Sequence, residues 1–202
     1  TTEIYTLSLH DALPISEGLE RIMKNAKTFQ DTFLFTTGLG HTHFKANHMS
    51  ANKIGTSLKH WVDIPLDGRA VAPLPWLIWY SSHPAAEASL KAWVESWIAD
   101  AERTDKGKPK GIFPNGVVTL TNAELGMVEE EIGFPGGSWH EKATQWGQMT
   151  EFPKHQHYLY NMAGMLYLRS NDPTFLKPFD AAVTHGLAYK AAGKPKLGTD
   201  PG

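Results

Sequence analysis

The 202-residue chain has no cysteine. That excludes disulfides, thiolate metal sites and cysteine nucleophiles, and it leaves the compartment open. No apolar run approaches the roughly 20 residues that a membrane-spanning helix needs, so no membrane span is expected. Charge imbalance is also small: 19 basic against 21 acidic residues give a net charge of −2. A nucleic-acid partner would require a basic face. The one basic cluster, Lys106 to Lys110, places three lysines in a Gly/Pro loop and reads as a solvated segment, so no nucleic-acid partner is expected. No Gly-x-Ser-x-Gly elbow occurs, which leaves a serine triad of the α/β-hydrolase kind without support.

What is present points to a helical, aromatic-rich core. Hydrophobic residues make up 41% and charged residues 20% of the chain, enough to bury a core and too apolar for disorder. Seven tryptophans accompany nine phenylalanines and six tyrosines. Buried rings are the default use of such residues. The functional alternative is a sugar-binding cleft, where flat rings stack on pyranose faces. Thr1 to Ser16 resemble the in-frame translation of a short-read sequencing adapter, and such a segment is set aside from fold reasoning. The expected organisation is therefore a non-native segment over 1–16 and, over 17–202, a fragment of a larger helical domain whose native start is missing.

Periodicity organises the remainder. Leu19, Ile22, Met23 and Ala26 predict a helix over Glu17–Gln30. Asp31–Thr37 reads as extended, and Ala46 to Trp61 as a further helix broken near Pro65. Arg69–Ser82 is almost wholly apolar and predicts a helix buried on all sides, with Pro73 and Pro75 in its first turn. Pro84 then starts an outer helix with Leu90, Trp93, Val94, Trp97 and Ile98 on one stripe, and Glu87, Lys91, Glu95 and Asp100 off it. Gly111–Pro153 is long and irregular, as functional loops often are, with a short strand at Val117–Thr121. His155–Leu168 predicts another apolar helix. Asp172 is its successor's N-cap, and that helix ends near Ala191. One unit thus occurs twice, at Arg69–Thr104 and His155–Ala191: an apolar inner helix, a polar turn carrying Pro, and an outer helix. Such hairpins cannot bury their faces alone and need lateral neighbours. The expected fold class is all-α or mainly α, with helical hairpins, long loops and at most short strands.

Three segments carry candidate chemistry: Gly40 to His48, Leu66 to Arg69, and Ser138 to Asn161. Each leads into the start of an inner helix, where side chains distant in sequence can converge on one cavity. His41 and His43 share a face if extended, the arrangement that chelates zinc. No carboxylate is adjacent in sequence, so the expectation is no cofactor, with a divalent metal at this pair as the alternative. Asn47, His48, Arg69, His155, His157, Tyr158 and Tyr160 supply the roles needed to cleave a uronic-acid glycan by β-elimination. Those roles are neutralising the carboxylate, removing the proton alpha to it and protonating the leaving oxygen. Taken singly, each is equally at home as a structural polar residue at a helix end. Trp76, Trp139 and Trp146 are the expected stacking platforms. Glu141 and Glu151 are further substrate-contacting residues, and in a hydrolase they would be the acid/base pair.

The turn segments Tyr80-Ser-Ser-His-Pro-Ala-Ala-Glu87 and Leu168-Arg-Ser-Asn-Asp-Pro-Thr-Phe-Leu-Lys-Pro178 are similar to those of the (α/α) toroid carbohydrate-active enzymes. That group comprises polysaccharide lyases of the heparinase and alginate-lyase type and toroid glycoside hydrolases. Asn47-His48 resembles the Asn-His that opens an inner helix in the lyases, although the residue before the pair is Ala46 where they often carry a second Asn. The resemblance implies that Asn47 neutralises the uronate and His48 assists proton transfer. It implies a polysaccharide or oligosaccharide as partner and a lyase activity, with a glycoside hydrolase or a non-catalytic helical binding module as alternatives. It also implies a periplasmic or secreted setting. Oligomeric state is not legible in the sequence.

Overall fold

The computed structural model describes residues 17–47, 49–50, 53–54, 56, 61–104, 109–114, 116–119, 123–124 and 156–193. The architecture is mainly helical with a few short strands. Helix α1 covers 17–28 and runs on into one wide turn, Phe29–Phe33, closed by the Leu34 N–H on the Phe29 carbonyl. The expected extended stretch therefore starts later than Asp31. Ala26, Phe29 and Phe33 keep helical spacing and pack against Phe44, so burial holds the helix through Phe33. Strands β1 (Leu34–Thr36) and β2 (Thr42–Phe44) then form an antiparallel hairpin pairing Phe35 with His43.

The helix expected from Ala46 to Trp61 does not form. Its described residues instead contribute β3 (Met49–Ser50) and β4 (Lys53–Ile54), which pair with each other, followed by β5 (Val62–Asp63). The segment contains Asn47, Ser50, Asn52, Gly55 and Thr56, all weak helix formers, and that outweighs its few apolar positions. A single 3-10 turn, Pro65–Asp67, leads into α2 (Gly68–Val71) and α3 (Leu74–Ser81). Pro75 falls in the first turn of α3, as expected, and the Ala72–Pro73 pair divides the anticipated single helix.

Helix α4 (Pro84–Glu102) is the centre of the molecule. Its apolar stripe of Leu90, Trp93, Val94, Trp97 and Ile98 is buried, and it contacts α3, β2, α5 (His157–Ser170) and α6 (Lys177–Ala191). The inner and outer roles read from the sequence are thus exchanged. The helix expected to be outer is central, and α3, expected to be buried all round, exposes Trp76, Trp79 and Tyr80 at 67%, 72% and 64%. Apolar composition showed that α3 had a face to bury but not that one face would be enough. Leu74, Leu77 and Ile78 supply that face. Asp100, read as lying off the α4 stripe, is fully buried because it sits one and two turns beyond Trp97 and Trp93 on a second, polar face of the helix.

The two helical hairpins share one turn design. Ser82 and Asn171 end α3 and α5 in the left-handed conformation, at φ 50° and 55°. His83 and Asp172 then cap the next element: His83 Nδ1 accepts from the Ala86 N–H and Asp172 Oδ1 from the Thr174 N–H. Pro84 and Pro173 follow in the first turn, where a missing N–H costs least. The expected cap at Asp172 is present, although a 3-10 turn over Pro173–Leu176 precedes α6. The hydrogen bond to Thr174 holds the Asp172 carboxyl below its ordinary value. Arg169, at the end of α5, reaches Ser82 and Glu87 in the α3–α4 turn. At the other end Gly68 touches Tyr158, so α2–α3 and α5 run side by side in the same direction.

Strand β6 (Val117–Val118), within the span expected to be extended, pairs with β5 on one side and β7 (Ala123–Glu124) on the other. The Thr119 hydroxyl donates to the Lys45 carbonyl, and its N–H to the Trp61 carbonyl, which fixes β5 behind β2. Most of the long loop expected over Gly111–Pro153 lies outside the described residues, as does 1–16.

Candidate functional site

Two groups of polar side chains stand out, and the first lies where β2 and β5 dock on the polar face of α4. His43 is fully buried; its Nδ1 is 2.8 Å from Asp63 Oδ2 and its Nε2 is 2.8 Å from Asp100 Oδ2. Asp63 Oδ2 also accepts from Trp93 Nε1, Trp97 Nε1 and the Phe44 N–H, at 2.8, 3.0 and 3.1 Å. The two buried tryptophans thus present their N–H groups to one carboxylate oxygen, as buried indoles require. The other end of the network reaches the surface. Asp100 Oδ1 meets His41 Nδ1 at 3.0 Å and Arg103 at 3.1 Å. Ser96 Oγ accepts from the Thr42 N–H and fixes the strand on the helix.

Electrostatics follow from this packing. Burial alone would push His43 down, but the hydrogen bonds and charges of Asp100 and Asp63 outweigh it and raise it to about 9. Burial also opposes the charge on Asp100, yet the bond to His43 and its other cationic neighbours hold it below its ordinary value. Asp63 is raised by burial against the pull of His43, Trp93 and Phe44. We read Asp63 as a carboxylate, because Oδ2 already takes four N–H donors and, among the described residues, Oδ1 has no partner that could accept a proton. Asp67, buried on the adjoining turn, is raised well above its ordinary value, by burial first and by the charge of Asp63 second.

The second group lies where the starts of α2 and α5 meet. A Cβ on Gly68 would stand 2.6 Å from Tyr158 Cβ and 3.3 Å from the Trp93 ring, so only glycine allows this approach. The rings of Tyr158 and His157 lie with centroids 4.0 Å apart and planes tilted by 36°, and Arg69 follows Gly68 with its side chain in solvent. Tyr160, two residues further along α5, points the other way, into Phe113 and Phe179. Its buried hydroxyl has no hydrogen-bond partner among the described residues, and burial raises it to about 12.

The structure therefore sets the start of α2, where Arg69 follows Gly68, against the start of α5, with His157 and Tyr158, and puts Tyr160 into the core. Asn47 is half-buried, with an unpartnered Oδ1. Trp76 is exposed on α3 beside Trp79 and Tyr80. His48, Trp139, Glu141, Trp146, Glu151 and His155 lie outside the described residues. Sequence reasoning singled out His41 and His43 but missed Asp63 and Asp100, which supply the carboxylates that the pair lacks locally. The available signal was Asp100 at helical spacing from Trp93 and Trp97, a charged residue on an otherwise buried arc. Gly68 was legible only as part of Leu66-Asp-Gly-Arg69. No protein-family model matches the chain, and no curated protein or solved structure is significantly similar to it.

Proposed function

We propose that the chain is part of a polysaccharide-degrading enzyme built from helical hairpins of the (α/α) toroid class, and that it cleaves uronic-acid glycans by β-elimination. One observation carries this reading: two helix starts far apart in sequence meet at Gly68 and Tyr158; in this reading Arg69, His157 and Tyr158 form one rim around the substrate. The parallel run of α2–α3 and α5 supports the hairpin array, since corresponding helices of successive hairpins lie side by side in one direction. In this reading Arg69 pairs with the uronate carboxylate and lowers the cost of charge that develops next to it. Tyr158, with His157 on its ring, takes the proton alpha to the carboxylate. Tyr158 does so as its phenolate: the C–H electron pair becomes the new C=C bond, the glycosidic C–O bond breaks with its pair on the departing oxygen, and the hydroxyl so formed on Tyr158 returns the proton to that oxygen. The exposed rings of Trp76, Trp79 and Tyr80 are stacking surfaces for the sugar chain.

The test is to incubate the protein with alginate, pectate and glycosaminoglycans while following the ultraviolet absorbance of unsaturated chain ends. Rising absorbance with at least one uronate polymer is the expected result. No absorbance, with reducing ends appearing from neutral glycans, rejects the lyase in favour of a hydrolase. Glycan binding without either product leaves a non-catalytic binding module.

A further inference from the structure

We propose that His41, His43 and Asp100 form a binding site for one divalent transition-metal ion of the zinc class, with Asp63 as the group that orients His43. Among the described residues these three offer ligand atoms that all lie within 4.8 Å of one another. The inference is independent of the lyase reading, because it uses no residue of the Arg69–Tyr158 rim.

Geometry argues for it at three levels. First, the ligands come from rigid elements: His43 is in β2, His41 immediately precedes that strand, and Asp100 is near the end of the central helix α4. The two imidazoles approach different oxygens of one carboxylate, His41 Nδ1 at Oδ1 and His43 Nε2 at Oδ2. Second, the supporting partner is in place. Metal-ligating histidines donate their other ring N–H to a carboxylate or carbonyl, which fixes the tautomer and strengthens the ligand. Asp63 Oδ2 takes that position on His43 Nδ1 and is itself fixed by Trp93 and Trp97. Third, the site is closed below and open above. His43 and Asp100 are fully buried, while the His41 side chain is 22% exposed. Three protein ligands with one side toward solvent are the pattern of zinc sites that keep a position for water or substrate.

Charge gives a further reason. Two carboxylates, Asp63 and Asp100, are buried around one imidazole, and an ion taking the place of the proton on His43 Nε2 neutralises both. Arg103, which meets Asp100 Oδ1 and is a quarter exposed, is a cation that such an ion would compete with. Two imidazoles and a carboxylate suit zinc, cobalt or iron rather than magnesium or calcium, which prefer all-oxygen shells.

The experiment is calorimetric titration of the metal-stripped protein with Zn2+, together with visible spectroscopy of the Co2+ form. One ion per chain and the intense visible bands of four- or five-coordinate cobalt are expected. His41→Ala, which removes the most exposed ligand, is expected to weaken Zn2+ binding by more than the roughly 10- to 100-fold that loss of a supporting partner costs. His185→Ala, which changes a histidine bonded to the Lys110 carbonyl, is expected to leave binding unchanged. Failure of the wild-type protein to bind Zn2+, or equal binding by the His41→Ala protein, overturns the proposal. Should His41→Ala not fold, the cobalt spectrum of the wild-type protein decides alone: only the weak bands of a hydrated octahedral ion also overturn it.

Discussion

Tyr158 and Tyr160 show how much two positions matter within one helix. Both belong to the tyrosine–histidine stretch that suggests proton-transfer chemistry, yet a helix directs residues i and i+2 to nearly opposite sides. Tyr158 lies against Gly68, and Tyr160 sits between Phe113 and Phe179 with a hydroxyl unpartnered among the described residues. Tyr158→Phe is expected to lower lyase turnover by about 10²- to 10⁴-fold, the usual worth of a positioned acid or base. Tyr160→Phe is expected to keep activity and to match or exceed wild-type stability, by up to about 1 kcal/mol, because it removes a buried unsatisfied group. Turnover and chemical denaturation of the two variants check both, and equal losses of activity would sink the distinction. Asp67 offers a test of buried charge. Its folded value is raised, so the native chain holds that proton more tightly than the unfolded chain does. Wild-type stability therefore falls as pH rises from the unfolded value of about 3.9 toward the raised folded one. Asp67→Asn removes that loss. The variant is expected to be the more stable protein at neutral pH, with the gap closing as the pH is lowered toward 4. A gap independent of pH would show that Asp67 is not held protonated by the fold.

At the scale of elements, the contact between α2 and α5 turns on the absence of one carbon. A Cβ at Gly68 would meet Tyr158 Cβ, an atom fixed by the backbone of another helix, and the Trp93 ring beneath it. Neither can yield by a rotamer change. Gly68→Ala is expected to cost about 1–3 kcal/mol, the range for overpacking a core. It is also expected to lower activity beyond what lost stability explains, because it displaces Tyr158. Measured Tm and turnover at a temperature where the variant is fully folded separate the two effects. Gly111 repeats the principle with stricter terms: at φ 82° its missing Cβ would stand 2.5 Å from Ala181 Cβ. The hairpin turns show the opposite economy, since Ser82 and Asn171 take the left-handed conformation without being glycine.

For the described residues as a whole, α4 is the central element, in contact with α3, β2, α5 and α6. One arc of it carries Leu90, Val94 and Ile98 into the apolar core. The adjoining arc carries Trp93, Ser96, Trp97 and Asp100 to the strands, where every polar head finds a partner. A charged residue can be fully buried there because its partners arrive with it; removing one partner of such a network leaves an uncompensated charge and costs several kcal/mol. Thr1–Ser16 lie outside the described residues, and their resemblance to a translated adapter predicts that the fold does not need them. A chain beginning at Glu17 is expected to melt at the same temperature as the full chain and to bind Zn2+ equally well. A markedly lower melting temperature would show that Thr1–Ser16 is part of the folded unit.

Much of this was legible from local chemistry. Apolar residues at helical spacing located α1, α4 and α5; the Ser82-His83-Pro84 and Asn171-Asp172-Pro173 runs located both hairpin turns, since capping and proline geometry act over a few residues. The same logic failed at Ala46–Trp61, where a scatter of apolar positions suggested a helix and weak helix formers with strand partners produced short strands. It failed again at α3, whose composition does not say which face meets another element. What the sequence by itself determined is the presence of α1, α4, α5 and α6, the two hairpin turns and the mainly helical class, because periods, caps and turns are properties of neighbouring residues. Only the tertiary structure decided that α4 is central, that Gly68 receives Tyr158, and that His43 meets Asp63 and Asp100, which are 20 and 57 positions away. Pairing through space depends on how elements pack, and no local pattern records which distant carboxylate a buried histidine will find.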